Sequence, residues 1–407
     1  MNAPVTYTFM GPAALMKFAY QGIDLTPLGN ELIAGVEHLP PLAAADALMD
    51  LSTILQLNGN RDIALSVQSE ALRSKQHYHL SAPHQPARIR LLAIMTPGDL
   101  MSNTPLDFLL EDSDISLDYL YLAPHLPFPE TIPPHDVLFV AIAEADENRM
   151  FLEELGKALP DWPLPVLNRA DRILNLARDR AHALLADIPG VAMPATVRQT
   201  RAELSALVNN QATLSKILPD ADYPIVVRPV GSHAGRGLER IDDPAALQIY
   251  LSAMSDEMFY LSPFIDYRNT DGLFRKFRVA LIEGRPYAVH LGVSAHWMIH
   301  YMNAGMNESA EKRAEEEKFM AEFDAEFARK HASALQAIYE RTGLDYLILD
   351  CAETPAGELL LFELDTSAVV HAMDPIDLYP YKQPQMRKVF TAFRNLLLHA
   401  MQKQQAA

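Results

Sequence analysis

The sequence predicts an α/β (α+β) protein that begins with a helical segment, continues as a small parallel α/β layer and ends in an α+β half. Three observations carry this. Ala43–Leu57 and Asp62–Gln76 place apolar residues at three- and four-residue spacing, the period of a helix face. Arg90–Met95, Leu117–Leu122 and Val137–Ala143 are strand-like runs separated by loops or helices. Tyr346–Leu349 and Leu359–Phe362 are apolar runs flanking the turn Glu353-Thr354-Pro355-Ala356-Gly357, as in a hairpin.

Residues 1 to about 82 read as helical throughout, with Asn58-Gly59-Asn60 splitting two helices. The pair resembles one tetratricopeptide-like hairpin, with Ala64 and Ala71-Leu72 as small packing positions. Such arrays need several repeats to bury their faces, so a cap packed on the next domain is favoured over peptide docking, which stays open. Ser81–Pro86 reads as a linker. Residues 87–167 then hold the parallel layer and the helix Asn148–Leu159. Ligands gather at the carboxyl ends of parallel strands, so Thr96-Pro97-Gly98 and Asn103-Thr104-Pro105 are candidate substrate contacts, Asn103 foremost; ordinary turn chemistry explains them equally.

Composition narrows the function classes. At 407 residues the chain calls for about two or three domains, and 49% apolar content supplies their cores. The formal net charge of −18, with no basic cluster, argues against nonspecific nucleic-acid binding. A single cysteine, Cys351, excludes a disulfide framework and a cysteine-based zinc site, and its strand position suits a buried structural thiol. The N-terminus lacks the pattern of a signal peptide, and no apolar run approaches the ~18 residues of a membrane span. A cytoplasmic protein without a membrane partner is the expectation.

The hairpin carries the densest chemistry. Asp350 closes the first run, and the second ends Glu363-Leu364-Asp365-Thr366-Ser367. Strand side chains alternate, so Glu363 and Asp365 share a face and the hairpin brings Asp350 opposite them. Three carboxylates on one patch repel unless a cation lies between them, and hard oxygen donors suit Mg²⁺. Three solvated acids on a surface hairpin are the plain alternative. Upstream, Pro224–Pro229 is a β-rich run containing Arg228, and it leads into Gly231-Ser232-His233-Ala234-Gly235-Arg236-Gly237. Closely spaced glycines let backbone amides approach an anion. The segment lacks the Gly-Lys-Ser/Thr ending of a P-loop, and no Gly-x-Gly-x-x-Gly fingerprint occurs.

Cation on a strand, glycine loop, strand Asp, then Glu-x-Asp: this order resembles the ATP-grasp superfamily, from about Asn168 to Met373. The resemblance implies two α+β subdomains, 168–265 and 266–407, holding ATP between antiparallel sheets, with 87–167 as the domain preceding them. Asp179-Arg180, followed by Pro194, looks like the family's Asp-Lys…Pro segment, and Arg228 like its second phosphate cation. Gly231, Ser232, His233, Ala234, Gly235 and Gly237 match the loop that closes over the phosphates. Tyr260–Ile265, with Ser262 and Phe264, resembles the adenine-binding hinge, and Lys276-Phe277-Arg278-Val279 the strand after it. Asp350, Glu363 and Asp365 fall at the metal-ligand positions, which implies ATP with Mg²⁺, two ions in all. Arginine replaces lysine at both phosphate positions, Asp365 stands where Asn is usual, and Lys276 where many members have Glu.

The reaction so implied is a ligation with release of ADP and phosphate. A small-molecule or peptide carboxylate attacks ATP to give an acylphosphate, and an amine displaces the phosphate. Arg278 is the candidate for stabilising the transferred phosphoryl group, and a salt bridge to the hairpin is its plain reading. His371 is a candidate general base. A kinase that stops at phosphoryl transfer, or a scaffold with a degenerate nucleotide site, are the alternatives. His290–Tyr301 gathers three histidines; His296, His300, Tyr301 and Ser367 are candidate substrate contacts, and a zinc pair from His296 and His300 lacks a third ligand. Glu308–Glu326 reads as a charged amphipathic helix, with Phe319, Phe323 and Phe327 on one face for packing or a partner. A homodimer is compatible with the resemblance.

Overall fold

The computed structural model describes residues 6–219, 221–232, 235–300 and 303–405. They form two compact units. One contains residues up to Leu174, Leu344–Tyr346 and the segment from Thr366 onward; the other contains Asn175–Gly343 and Leu347–Asp365.

The first unit opens with helices Pro12–Tyr20, Thr26–Gly35, Pro41–Leu57 and Arg61–Ser74. Leu15, Leu25 and Leu32 of the first two close over Ala47, Leu51 and Ile54 of the third. The tetratricopeptide-like reading therefore extends no further than one helical hairpin, its apolar face covered by these two helices. The helical stretch also ends earlier than expected. His77–Leu80 is a strand, β1, which pairs antiparallel with Ile115–Tyr121, β3. Pairing with a sheet edge overrides local propensity here, and Tyr78 is fully buried against Phe9, with ring centroids 5.1 Å apart.

The sheet of this unit has the order β1-β3-β2-β4-β5, where β2 is Ile89–Met95, β4 Val137–Val140 and β5 Val166–Leu167. Every pairing except that of β1 is parallel. The strands are apolar runs rather than alternating ones because both faces are covered, as parallel sheets require. Phe393, from the long helix Lys382–Gln405, packs on Phe139 of β4 at 5.9 Å and on Tyr346 at 5.5 Å. Asn168, fully buried at positive φ, exchanges hydrogen bonds with the Tyr346 backbone: its Nδ2 donates to the carbonyl and its Oδ1 accepts the amide, both at 2.8 Å.

The second unit holds two sheets. Val197–Thr200 (β7), Ile225–Pro229 (β8), Glu239–Ile241 (β9) and Met258–Pro263 (β10) form an antiparallel sheet in the order β7-β10-β8-β9. Leu204, Leu207, Val227, Leu247 and Phe259 fill the core beneath it. The other sheet has the order β12-β11-β13-β14-β6. Its members are Val191–Ala192 (β6), Phe274–Ile282 (β11), Arg285–Ser294 (β12), Tyr346–Glu353 (β13) and Leu359–Asp365 (β14). The phenylalanine face of the predicted charged helix is core. Phe319 lies 4.8 Å from Phe277 and 5.4 Å from Phe323, and buried Glu316 on that helix accepts the Leu291 amide at 3.0 Å. Among the described residues no helix is long and apolar enough to cross a membrane.

One buried group makes the first unit's stability depend on pH. Asp50 accepts the Tyr7 hydroxyl at 2.9 Å and the amides of Met10 and Gly11 at 2.7 and 3.1 Å, fastening the N-terminal segment to the helix Pro41–Leu57. Burial pushes its carboxyl up to about 6. The folded value exceeds the unfolded one of about 3.9, so folding takes up a proton here; stability falls as pH rises from about 4 to about 6 and is level above that. Melting temperature measured across this range should show the step, and Asp50→Asn should flatten it.

Candidate active site

The charged site of the second unit is built first by its hairpin. β13 and β14 pair so that Asp350 faces Glu363 and Ile348 faces Asp365, with a bulge between Asp350 and Cys351. A bulge twists a strand locally and re-aims its side chains. Glu363 and Asp365 lie two apart on one strand and so project to one face, as the sequence implied.

The salt bridge to the hairpin, the plain reading of Arg278, is present. On β11, next to β13 in the sheet, Arg278 grips Asp350 in a two-pronged pair, Nε to Oδ1 at 2.8 Å and Nη2 to Oδ2 at 3.0 Å. Lys276 Nζ lies 2.7 Å from Asp350 Oδ2. Burial alone would weaken the charge on Arg278, yet Asp350 first, then Asp365 and Glu363, drive its pKa far up, so all three carboxylates act on this one guanidinium. Burial likewise opposes the charge on Asp350, and Arg278 and Lys276 outweigh it, holding the carboxyl far below the usual range. The cation among the acids is thus Arg278, supported by Lys276. Among the described residues no group of three or more His, Cys, Asp or Glu side chains is arranged to hold a metal ion.

Glu363 has its own partners. Arg178 donates from Nη1 to the Phe362 carbonyl at 2.8 Å and pairs through Nη2 with Glu363. Burial would raise the Glu363 carboxyl, but Arg178 and Arg228 hold it down. Arg228 comes from the other sheet, on the half-buried face of β8; burial, and then Arg178, push its guanidinium down to about 10. Two arginines from two elements thus converge on one carboxylate, a cationic surplus suited to an anionic ligand.

A row of side chains crosses the first sheet of this unit at that point. Arg198, Tyr260 and Arg228 are register partners on β7, β10 and β8. Arg198 donates to the Tyr260 hydroxyl at 2.7 Å and pairs with Asp179 at 3.2 Å. Arg228 donates from Nε to Ser232 Oγ at 3.2 Å, and also to the Ser232 carbonyl. The glycine loop begins there, with Gly231, Gly235 and Gly237 all at positive φ. A Cβ at Gly237 would lie 2.8 Å from the Pro229 ring, so only glycine fits. His233 and Ala234 lie outside the described residues.

The other predicted residues divide. Ser262 pairs with Val226 in the sheet, and the Phe264 amide donates to the Pro224 carbonyl at 3.1 Å, with Trp297 5.5 Å from its ring. His300 joins the cluster: partial burial, then the charges of Lys276 and Arg278, lower its pKa. Residues 295–300 form no helix, so His296 and His300, four apart, do not share a helix face; Tyr301 lies outside the described residues. Arg178, rather than Arg180, is the residue that reaches Glu363. His371, Ser367 and Asn103 belong to the first unit. The His371 ring lies tilted 5.6 Å from that of Tyr20, and its Nδ1 accepts the Met373 amide at 3.2 Å; Ser367 is buried. Asn103 spends both ends of its amide on the Thr96 backbone, each at 2.8 Å, which is a structural use. Sequence reasoning missed Arg178 and Arg198, and named Tyr260 only as part of the hinge-like strand. Arg178 directly precedes the Asp179-Arg180 pair, and its helical position would have marked it as the neighbour that can turn inward.

No family model matches the chain, and no curated protein matches it. Among solved structures it is similar to a D-alanine–D-alanine ligase from Bacillus anthracis complexed with ATP, at 13% identity over 77% of this chain and 99% of the other, TM-score 0.47. A D-alanyl-alanine synthetase A from Vibrio cholerae is similar at 11% identity over 78% and 99% of the two chains, TM-score 0.48. A RimK-domain ATP-grasp protein from Sphaerobacter thermophilus is similar at 16% identity over 76% and 99%, TM-score 0.39.

Removing the central acid should be costly. Asp350→Ala leaves the half-buried Arg278 and Lys276 side by side without their counter-charge, and unfolding in denaturant should show a loss of about 3 kcal/mol. Because the folded pKa of Asp350 is depressed, its contribution is fully present above about pH 4 and declines as the pH falls further. The wild type should therefore lose stability on acidification through that window, and the variant should lose less.

Proposed function

We propose that the chain is an ATP-dependent ligase of ATP-grasp type, which activates a carboxylate as an acylphosphate and joins it to an amine with release of ADP and phosphate. The observation that supports this reading most is the convergence of Arg178 and Arg228 on Glu363, beside the Arg278–Lys276–Asp350 cluster and below a glycine loop. Phosphoryl transfer asks a protein mainly for positioning and charge neutralisation, and this site offers little else.

In this reading Arg228 and Arg178 bind the phosphates, and the loop amides from Ser232 to Gly235 cover them. Strand β10 offers its Ser262–Phe264 end to the base. Arg278 and Lys276, fixed by Asp350, present their remaining donors to the transferred phosphoryl group and the acylphosphate oxygens. Loop closure excludes water, which would hydrolyse the acylphosphate. For magnesium the donor chemistry fits in reduced form. Asp350 is compensated by two cations, whereas Glu363 and Asp365 share one strand face and would hold one ion together with phosphate oxygens once the phosphates draw Arg178 from Glu363, a carboxylate number usual for Mg²⁺. When bound, the ion supplies charge neutralisation across the phosphates. His300, whose pKa burial and then the charges of Lys276 and Arg278 lower, is the group proposed to accept the amine's proton.

A ligand that binds only the folded state raises its melting temperature. ATP with Mg²⁺ should do so for the wild type, and Arg228→Ala should weaken ATP binding by about tenfold or more, as loss of a charge-assisted phosphate contact predicts. Glu363→Gln should abolish the Mg²⁺-dependent part of the shift. The ligase reading then requires ADP release that depends on both a carboxylate and an amine. Release with the carboxylate or an alcohol alone would mark a kinase, and no shift with any nucleotide would overturn the proposal.

A further inference from the structure

The first unit contains a cavity that the ligase reading does not use. It lies where the N-terminal helices cover the carboxyl ends of the parallel strands, and it is partly open to solvent. Its wall is mostly apolar: Phe9, Met16, Met49, Met95, Leu100 and Phe108. Methionines adapt to the shape of an apolar guest.

The polar groups around it are arranged with one exception. Gln68 is pinned by the Gly98 backbone, accepting its amide at 2.8 Å and donating to its carbonyl at 2.9 Å; Gln56 accepts the Leu100 amide at 2.9 Å. Asp99 is paired with Arg61 at 2.9 Å. The exception is Asp107. One carboxyl oxygen, Oδ2, accepts the Ala13 amide at 2.6 Å and so caps the helix Pro12–Tyr20. The other, Oδ1, is buried without a hydrogen-bond partner; burial pushes the carboxyl up, and Tyr119 beside it opposes this only in part, so a cation placed on it would favour the ionised form. A buried carboxylate oxygen left in that state is costly, and neither Lys, Arg nor His lines the cavity among the described residues.

We propose that this cavity binds a small amine with an apolar body, its ammonium group on Asp107 and its hydrocarbon against the methionines. A carboxylate or phosphate ligand would face Asp99 and Asp107 with no cation in the wall. An uncharged ligand would leave the acid uncompensated. The inference does not rest on the ligase reading, because it concerns a site in the other unit and needs neither nucleotide nor metal.

Calorimetry on the full chain with n-hexylamine, n-hexanol and n-hexanoate tests it. Hexylamine should bind at least about tenfold more tightly than either analogue. Asp107→Asn should bring the amine down to the level of the alcohol. Because Asp107 also caps a helix, a second variant guards against misfolding. Leu100→Trp, in a half-buried loop position, fills the cavity from its wall and should abolish amine binding with the melting temperature unchanged. Equal affinity for amine and alcohol, amine binding that survives in a folded Leu100→Trp, or no binding of any of the three by the wild type would overturn the proposal.

Discussion

Three acidic side chains at the end of one β-hairpin can share a sheet face only if positive charge is buried among them. In this protein Arg278 supplies it, gripping Asp350 with two hydrogen bonds and feeling Asp365 and Glu363 as well. The remaining features of the second unit follow from that balance. Arg178 ties the helix Arg178–Leu185 to β14 through Glu363 and the Phe362 carbonyl. Arg228 brings the second sheet to the same carboxylate. Truncating either side of such a pair leaves an uncompensated buried charge, so these residues constrain one another as a group.

The same balance shapes the chemistry. A site that must bind a polyanion needs more cation than its own acids consume. Asp350 is satisfied by Arg278 and Lys276, and Glu363 by Arg178, while Arg228 is held at the loop by Ser232 and its charge is disfavoured by burial and by Arg178. Under the proposed function an arriving phosphate would relieve that repulsion, concentrating binding energy on Arg228 and on the glycine loop beside it. The first unit makes the opposite arrangement in its cavity, where an acid is left without a cation.

Much of this could be read from the residues. The hairpin register was legible because side chains alternate along strands, which puts Glu363 and Asp365 on one face whatever the rest of the chain does. The parallel layer was legible because strands covered on both faces must be continuously apolar. The glycine loop was legible because positive φ selects glycine, as at Gly237 against the Pro229 ring. Other features depend on neighbours distant in sequence. His77–Leu80 looks like the tail of a helical region until β3 offers it an edge. The phenylalanines of the charged helix look like a partner face until Phe277 of β11 meets them. Arg178 and Arg180 are equally charged and two apart, and the local sequence does not say that Arg178 pairs with Glu363.

By itself, then, the sequence determined the local periodicities, the carboxylate face of the hairpin and the sites where glycine is obligatory, since each follows from backbone geometry within a few residues. Only the tertiary structure decided which cation neutralises which acid. Arg278 and Asp350 are 72 residues apart and Arg178 and Glu363 are 185 apart, and charge pairing at such separations depends on strand order and burial, which no local pattern encodes.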